Sequence, residues 1–328
     1  MKRRAFITLL GGAAAAWPLA ARGQQARMPV LGFLGSASEA DYKTTTAAVR
    51  RGLSEAGYVE KQNLLIDYRW ANFQYDRLPA LAAELVKRPV DAIFTTGSVV
   101  SALAAKAATA SIPIVFANGS DPVEYGLVAS LNRPGGNVTG VTLNSTELGT
   151  KLLGLLIELL PGAARIAVLV DPNFPNTEPF VSSVRAAALV TRKQIEVLDA
   201  STARDIDTAF ASLAQKPVDA LLVGPTPLFN NRRVQLVTLA AYHRVPGIHF
   251  QREAAEAGFL MSYGTSHTDA YRQAGVYTGR ILKGEKPADL PVMQSIKFEF
   301  VINSIPPGHS ASACRQGCSP LPTSGGVC

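Results

Sequence analysis

The sequence predicts a doubly wound α/β protein of two similar lobes joined by a hinge. Three observations carry that expectation. From Val30 onward, short apolar runs bounded by Gly, Pro, Asn or Asp alternate with longer stretches of helical periodicity, the pattern of parallel sheets covered on both faces. The segment Arg88-Pro89-Val90-Asp91-Ala92-Ile93-Phe94 returns 128 residues later as Lys216-Pro217-Val218-Asp219-Ala220-Leu221-Leu222, each copy leading into a strand and then a turn. The chain has 328 residues, enough for two domains of about 150 residues that each bury a core.

Taken in order, the first half has strand runs at Val30 to Leu34, Leu64 to Trp70, Ala92 to Thr95, Ile114 to Ala117 and Val138 to Val141. Helical periodicity falls between them at Thr44 to Ala56, Leu78 to Lys87 and Val99 to Ala108. In the second half the strand runs are Arg165 to Val170, Ile195 to Leu198, Ala220 to Val223, Gly247 to Phe250 and Leu260 to Ser262. Helices are predicted over Leu148 to Leu160, Pro179 to Thr191, Ile206 to Leu213, Val234 to His243 and Ala270 to Leu282. The expected boundaries are a first lobe of 28–143 plus part of 263–300 and a second lobe of 144–262. The chain is expected to cross at Val141 to Thr146, and again near Gln251 to Gly258 and Tyr263 to Thr265.

The amino end reads as an export signal. Lys2, Arg3 and Arg4 precede the apolar run Ala5 to Ala20, and Ala21-Arg22-Gly23 has the small residues of a cleavage site near Gly23. Gly11, Gly12 and Pro18 interrupt the run, which is short for a membrane span. Arg3-Arg4-Ala5-Phe6-Ile7 also has a twin-arginine-like character, so both general and twin-arginine export stay open. Removal of residues 1–23 takes away four cations, which turns the +7 of the whole chain into +3, 28 basic against 25 acidic residues. Bulk charge then gives no reason to expect a nucleic-acid partner.

The catalytic inventory is thin. All three cysteines, Cys314, Cys318 and Cys328, lie in the last fifteen residues, which removes thiol catalysis and thiolate metal sites from the body. There is no phosphate-binding Gly-rich loop, no dinucleotide fingerprint after the first strand and no nucleophile elbow. His243, His249 and His267 lack ligand-like spacing and are read as structural. No cofactor and no metal are expected. The turns that follow the strands instead carry small hydroxyl and amide residues: Gly35-Ser36-Ala37-Ser38, Thr96-Gly97-Ser98, Asn118-Gly119-Ser120-Asp121, Asp171-Pro172-Asn173 and Gly224-Pro225-Thr226. In an open parallel sheet such turns share the carboxyl edge, where ligands bind, and free N–H groups at helix starts suit a carboxylate. Individually these residues also serve as helix caps and turn formers.

Several stretches resemble one family. They are Tyr68-Arg69-Trp70-Ala71, Tyr75-Asp76-Arg77-Leu78-Pro79, Asp121-Pro122-Val123, Phe229-Asn230-Asn231-Arg232-Arg233, Met261-Ser262-Tyr263-Gly264 and Tyr277 to Gly284. The most specific is Arg133-Pro134-Gly135-Gly136-Asn137-Val138-Thr139-Gly140-Val141. Together they resemble the ABC-transporter substrate-binding proteins of the tryptophan/tyrosine-binding type, over residues 1 to about 303. The resemblance implies a type 1 periplasmic-binding fold of two Rossmann-like lobes and a monomeric periplasmic receptor, without catalysis. It would capture an aromatic or other amino acid, or a small carboxylate or amide, for an inner-membrane permease and its ATPase. It further implies that Ser36 and Ser38 line the first-lobe wall and that Thr96, Gly97 and Ser98 take a carboxylate. Asp121 would approach an amino group, while Asn173, Asn176, Thr226 and Tyr263 close from the second lobe and hinge. Asn118 and Pro225 complete the expected ligand-binding set. Two other classes stay open on the residues, a small-acid isomerase or hydrolase and a ligand-sensing module of a regulator. The missing catalytic clusters and the export leader argue against them.

The end of the chain departs from that family. After Lys297 to Asn303, Ser304 to Cys328 contains no acidic residue and no periodicity. Reading residues 304–324 one frame over with GC-rich codons restores a Gly-Leu-x-Val-Pro-Pro ending like the family's, so a frameshift near Asn303 is expected. The other reading is a true Cys-rich tail with a disulfide.

Overall fold

The computed structural model describes residues 27–143 and 148–303. The expected leader and the frameshifted tail lie outside the described residues, as does part of the first expected crossing.

In chain order the elements are β1 (Val30–Gly35), α1 (Lys43–Glu55), β2 (Leu65–Trp70), α2 (Leu78–Val86), β3 (Ala92–Thr96), α3 (Val99–Ala108), β4 (Ile114–Asn118) and β5 (Val138–Thr142). There follow α4 (Leu148–Leu159), β6 (Arg165–Val170), α5 (Thr177–Thr191), β7 (Gln194–Asp199), α6 (Ala203–Ser212), β8 (Ala220–Val223), α7 (Pro227–Asn231), α8 (Arg233–Tyr242), β9 (Gly247–His249) and α9 (Arg252–Ala257). The chain closes with β10 (Met261–Thr265), α10 (His267–Leu282), β11 (Met293–Gln294) and β12 (Phe298–Ile302). Two six-stranded sheets result, ordered β11-β5-β4-β3-β1-β2 and β12-β10-β9-β8-β6-β7. Every pairing is parallel except that of β12 with β10. The expected fold class is the one observed.

The internal repeat has a structural reason. Asp91 Oδ2 accepts from the Val30 N–H at 2.7 Å, and Asp219 Oδ2 accepts from the Ala164 and Arg165 N–H groups at 2.8 Å. Each repeat therefore uses its aspartate to tie down the start of its lobe's first strand. Those bonds hold the Asp219 carboxyl below the usual carboxylate range.

Strand runs that are apolar throughout fill both faces of each sheet, as at Ala92–Thr96, where every residue is buried. Four apolar clusters follow, two per sheet, and Phe33, Phe94 and Phe116 lie fully inside the first lobe. Helix α10 packs along α1 through glycines. A Cβ at Gly52 would lie 1.8 Å from the Arg272 carbonyl oxygen, and one at Gly275 2.3 Å from that of Val49. The backbones approach closely because these positions have no side chain.

The chain passes between the sheets three times: after β5, at Ser266 between β10 and α10, and at 295–297 between β11 and β12. Residues 251–258, expected near a crossing, instead form α9. Its buried Ala254 and Ala255 pack it against the second lobe, because a run of helix formers ends at Gly258 with φ +131°. The closing strand β12 pairs back onto the second sheet, with Phe298, Phe300 and Ile302 about half exposed along one face.

Candidate functional site

The strand ends meet at a cleft between the lobes. In each sheet the order reverses around the first strand, β2-β1-β3 and β7-β6-β8, and the turns after these strands open toward the other lobe. A cavity lies between them, with about 660 Å³ of open space when its mouth is counted.

The first-lobe wall is built on Tyr42, which precedes α1. Its ring stacks on Trp70 at 5.9 Å, and its hydroxyl lies 3.0 Å from Ser36 Oγ. Gly97 makes room for that hydroxyl: its φ is +92°, and a Cβ there would meet the oxygen at 1.6 Å. Ser98 caps α3, its Oγ accepting from the Val100 N–H at 3.3 Å. Asn118 ends β4 with its Oδ1 accepting from the Ser120 N–H at 3.1 Å. That bond fixes the amide orientation and leaves Nδ2 buried and without a partner among the described residues, on a side chain that belongs to the cavity lining. Helix α10 adds Tyr271 and His267. Burial pushes both the Tyr42 and Tyr271 phenols up.

The second-lobe wall comes from Phe174, the turn Pro225-Thr226-Pro227, Asn230 of α7, and Phe250-Gln251 after β9. Thr226 Oγ accepts from the Phe229 N–H at 3.2 Å, which leaves its O–H free to donate. Gln251 Nε2 donates to His267 Nδ1 at 2.7 Å, since an amide nitrogen only donates. Burial pushes His267 down to about 4, so it is neutral. At the back, Thr265 Oγ1 donates to the Leu143 carbonyl at 2.8 Å and ties two crossings together.

Beside the cavity the lobes touch directly. Asn176 Oδ1 accepts from Ser120 Oγ at 2.8 Å and from the Tyr125 hydroxyl at 3.3 Å, and that hydroxyl is also 3.1 Å from the Pro175 carbonyl. Phe73, in a left-handed conformation after a left-handed Asn72, packs against the second lobe's core.

Of the residues expected from sequence, Gly97, Asn118, Pro225 and Thr226 line the cavity. Ser36, Thr96 and Ser98 sit behind the wall, covered by Tyr42 or spent on capping. Ser38 faces the outer groove with Arg50 and Trp70 and bonds Asp41 at 2.5 Å. Asp121 is exposed and caps its own turn, accepting from the Val123 N–H at 2.8 Å. Asn176 belongs to the seam. Asn173 is exposed, with its N–H donating to Asp171 Oδ1 at 3.0 Å. Tyr263 is not in the cavity lining: it packs against the second lobe's core and stacks on Phe298 at 5.6 Å, with the Lys151 ammonium over its ring. The sequence reading missed Tyr42, Tyr271, Phe174, Phe250, Asn230, Gln251 and His267. The rule of turns after strands covers Phe250 and Gln251, which follow β9 directly, whereas Tyr42 at the N-cap of α1 and Tyr271 within α10 enter only through tertiary packing.

Comparison with known proteins agrees with this architecture. Residues 37–306 match the family described as ABC transporter substrate binding protein. A tyrosine-binding protein of Clostridioides difficile is 29% identical over 259 residues, 77% of this chain and 72% of that one. A conserved domain protein of Vibrio cholerae superposes with a TM-score of 0.75 at 24% identity, covering 84% of this chain and 92% of the other. A domain from Streptococcus pneumoniae in complex with L-Trp gives 0.73 at 23% identity, covering 84% and 91%. Among the described residues no helix is long and apolar enough to cross a membrane.

Proposed function

Because the chain belongs to the family of ABC transporter substrate binding proteins, we propose that it is an exported, non-catalytic receptor. Its two lobes close on one small ligand and present it to a membrane permease driven by an ATPase. The observation that carries this reading is the cavity itself, lined by strand-end turns of both sheets and bridged by Thr265, Gln251 and Asn176. Such a site binds by closure, and its contacts are broken by rotation at the crossings. We take the lobes to be 28–143 plus part of 263–300, and 144–262 extended to Thr265 and joined by β12; sheet membership supports this division. Gly97, Asn118, Pro225 and Thr226 form the contact set, with Asn176 at the seam. Ser36, Thr96 and Ser98 support the wall.

The relatives that bind tyrosine or carry L-Trp make a small aromatic molecule or amino acid the first ligands to try. A thermal-shift screen of the full chain against amino acids, small carboxylates and amides tests the reading. Saturable stabilisation with the ligand recovered unchanged is the expected result. Turnover of a hit, or no stabilisation by any compound, overturns it. Cell fractionation and amino-terminal sequencing test export and cleavage near Gly23, and light scattering tests the monomer.

A further inference from the structure

Among the described residues that line the cavity there is no Asp, Glu, Lys or Arg. Its three titratable lining groups are uncharged at neutral pH: burial raises the Tyr42 and Tyr271 phenols and lowers His267. The carboxylates that sequence reasoning or topology would bring here are engaged elsewhere. Asp121 caps an exposed turn, and Asp41, Arg233 and Glu253 line an adjoining pocket that shares Asn230 and Gln251 with the cavity. A buried ammonium or carboxylate without a counter-charge costs several kcal/mol. The chamber is therefore a poor host for the two charges of an amino-acid head group.

It is equipped for something else. Asn118 Nδ2 is a donor on a lining residue only 2% exposed, with no partner among the described residues, and a buried donor left unmade is costly enough that a ligand acceptor reaching it would be a natural partner. Thr226 adds a free O–H and Asn230 an amide, both neutral. Tyr42 and Tyr271 from one lobe face Phe174 and Phe250 from the other, which gives apolar walls for a flat ring. Tyr42 also covers the start of α3, closing the position where a carboxylate would meet the N–H groups of a helix terminus.

We propose that the cleft is specific for an uncharged planar amide, an aromatic carboxamide or ring amide, whose carbonyl oxygen accepts a hydrogen bond from Asn118 Nδ2. The proposal rests on the receptor reading and deepens it by naming the ligand class.

The test is calorimetric titration of the full chain with two matched series: indole-3-acetamide, indole-3-acetate and L-tryptophan, and 3-(4-hydroxyphenyl)propanamide, its acid and L-tyrosine. The expected result is that in at least one series the amide binds at least about tenfold tighter than the acid and the amino acid. Asn118→Leu and the isosteric Asn118→Asp, which keeps the bond from the Ser120 N–H, should each weaken the amide by about tenfold, the worth of one hydrogen bond. Asn118→Asp guards against a folding defect in the leucine variant. An amino acid binding tighter than its amide overturns the proposal, and so does its affinity falling in Glu147→Gln, the carboxylate between Leu143 and Leu148. Either result would leave the receptor reading intact. Failure of every amide to bind also overturns the ligand class, whereas turnover of a compound would remove the receptor reading itself.

Discussion

Replacing Gly52 by alanine should destabilise the protein even though alanine is the better helix former. In an exposed helix interior the change gains about 1 kcal/mol. Here the new Cβ would lie 1.8 Å from the Arg272 carbonyl oxygen and 2.8 Å from the Val276 nitrogen. Reaching an ordinary contact of about 3.4 Å requires α1 and α10 to part by roughly 1.5 Å. Overpacking of this kind costs about 1–3 kcal/mol and more where both contacting atoms are backbone. The parting also strips contact from Leu53, Ala270 and Ala274, which the two helices bury. The net expectation is a loss of about 2–3 kcal/mol, or a fall in Tm of roughly 5–10 °C for a chain of this size. Gly154→Ala in α4 is the internal control, because nothing lies within 4 Å of its added Cβ; it should gain about 0.5–1 kcal/mol. Urea unfolding of both variants beside the parent makes the comparison. If Gly52→Ala is as stable as Gly154→Ala, the close-packed seam is not what holds α10, and with it Tyr271 and His267, in place.

Asn176→Ala removes the acceptor for Ser120 Oγ and Tyr125 at the seam. It should weaken the closed form by about 1–2 kcal/mol, seen as a larger radius of gyration in small-angle scattering with unchanged unfolding by urea. Phe73→Ala should loosen closure in the same assay by about 1 kcal/mol, the worth of a half-buried aromatic ring. His249 is fully buried and pushed down to about 3 by desolvation, with His267 and Arg233 adding to it, while the Gln251 N–H donates to its Nδ1. A depressed histidine costs stability as pH falls: below 6.5 the unfolded chain takes up a proton that the folded one refuses. Stability should therefore drop by about 2 kcal/mol per such histidine between pH 7 and pH 5, above the carboxylate range. His249→Phe should reduce the slope by one proton's worth, and an unchanged slope would refute the assignment.

Sheet strands and long helices were legible because both lobes bury their sheets on both faces. Arg165 to Val170 could hardly be anything but an inner strand, and the observed bounds coincide with the expected ones. The repeated aspartates were visible as a pattern, but their task of anchoring Val30 and Arg165 needed the three-dimensional pairing. The short helices Pro227–Asn231 and Arg252–Ala257 escaped because one or two turns give no periodicity. At the site, turn residues were found wherever the chain itself supplies the geometry, as with Asn118 and Thr226. Local chemistry misled at Asp121 and Ser38, whose side chains satisfy their own turns before any ligand arrives. Tyr42 was invisible for the opposite reason, since its place over Gly97 depends on two strands far apart in sequence.

The three passages between the sheets also determine how the molecule can move. Each added passage removes freedom from the relative motion of two bodies, so three restrict it more than one would. The Thr265 to Leu143 bond ties two of them together where they leave β10 and β5. A hinge at these passages would leave both sheets intact, because the strand pairings lie within each sheet. Asp41, Arg233 and Glu253 line the pocket that adjoins the cavity at Asn230, Gln251, His267 and Tyr271, so charges that the described lining lacks stand directly beside it.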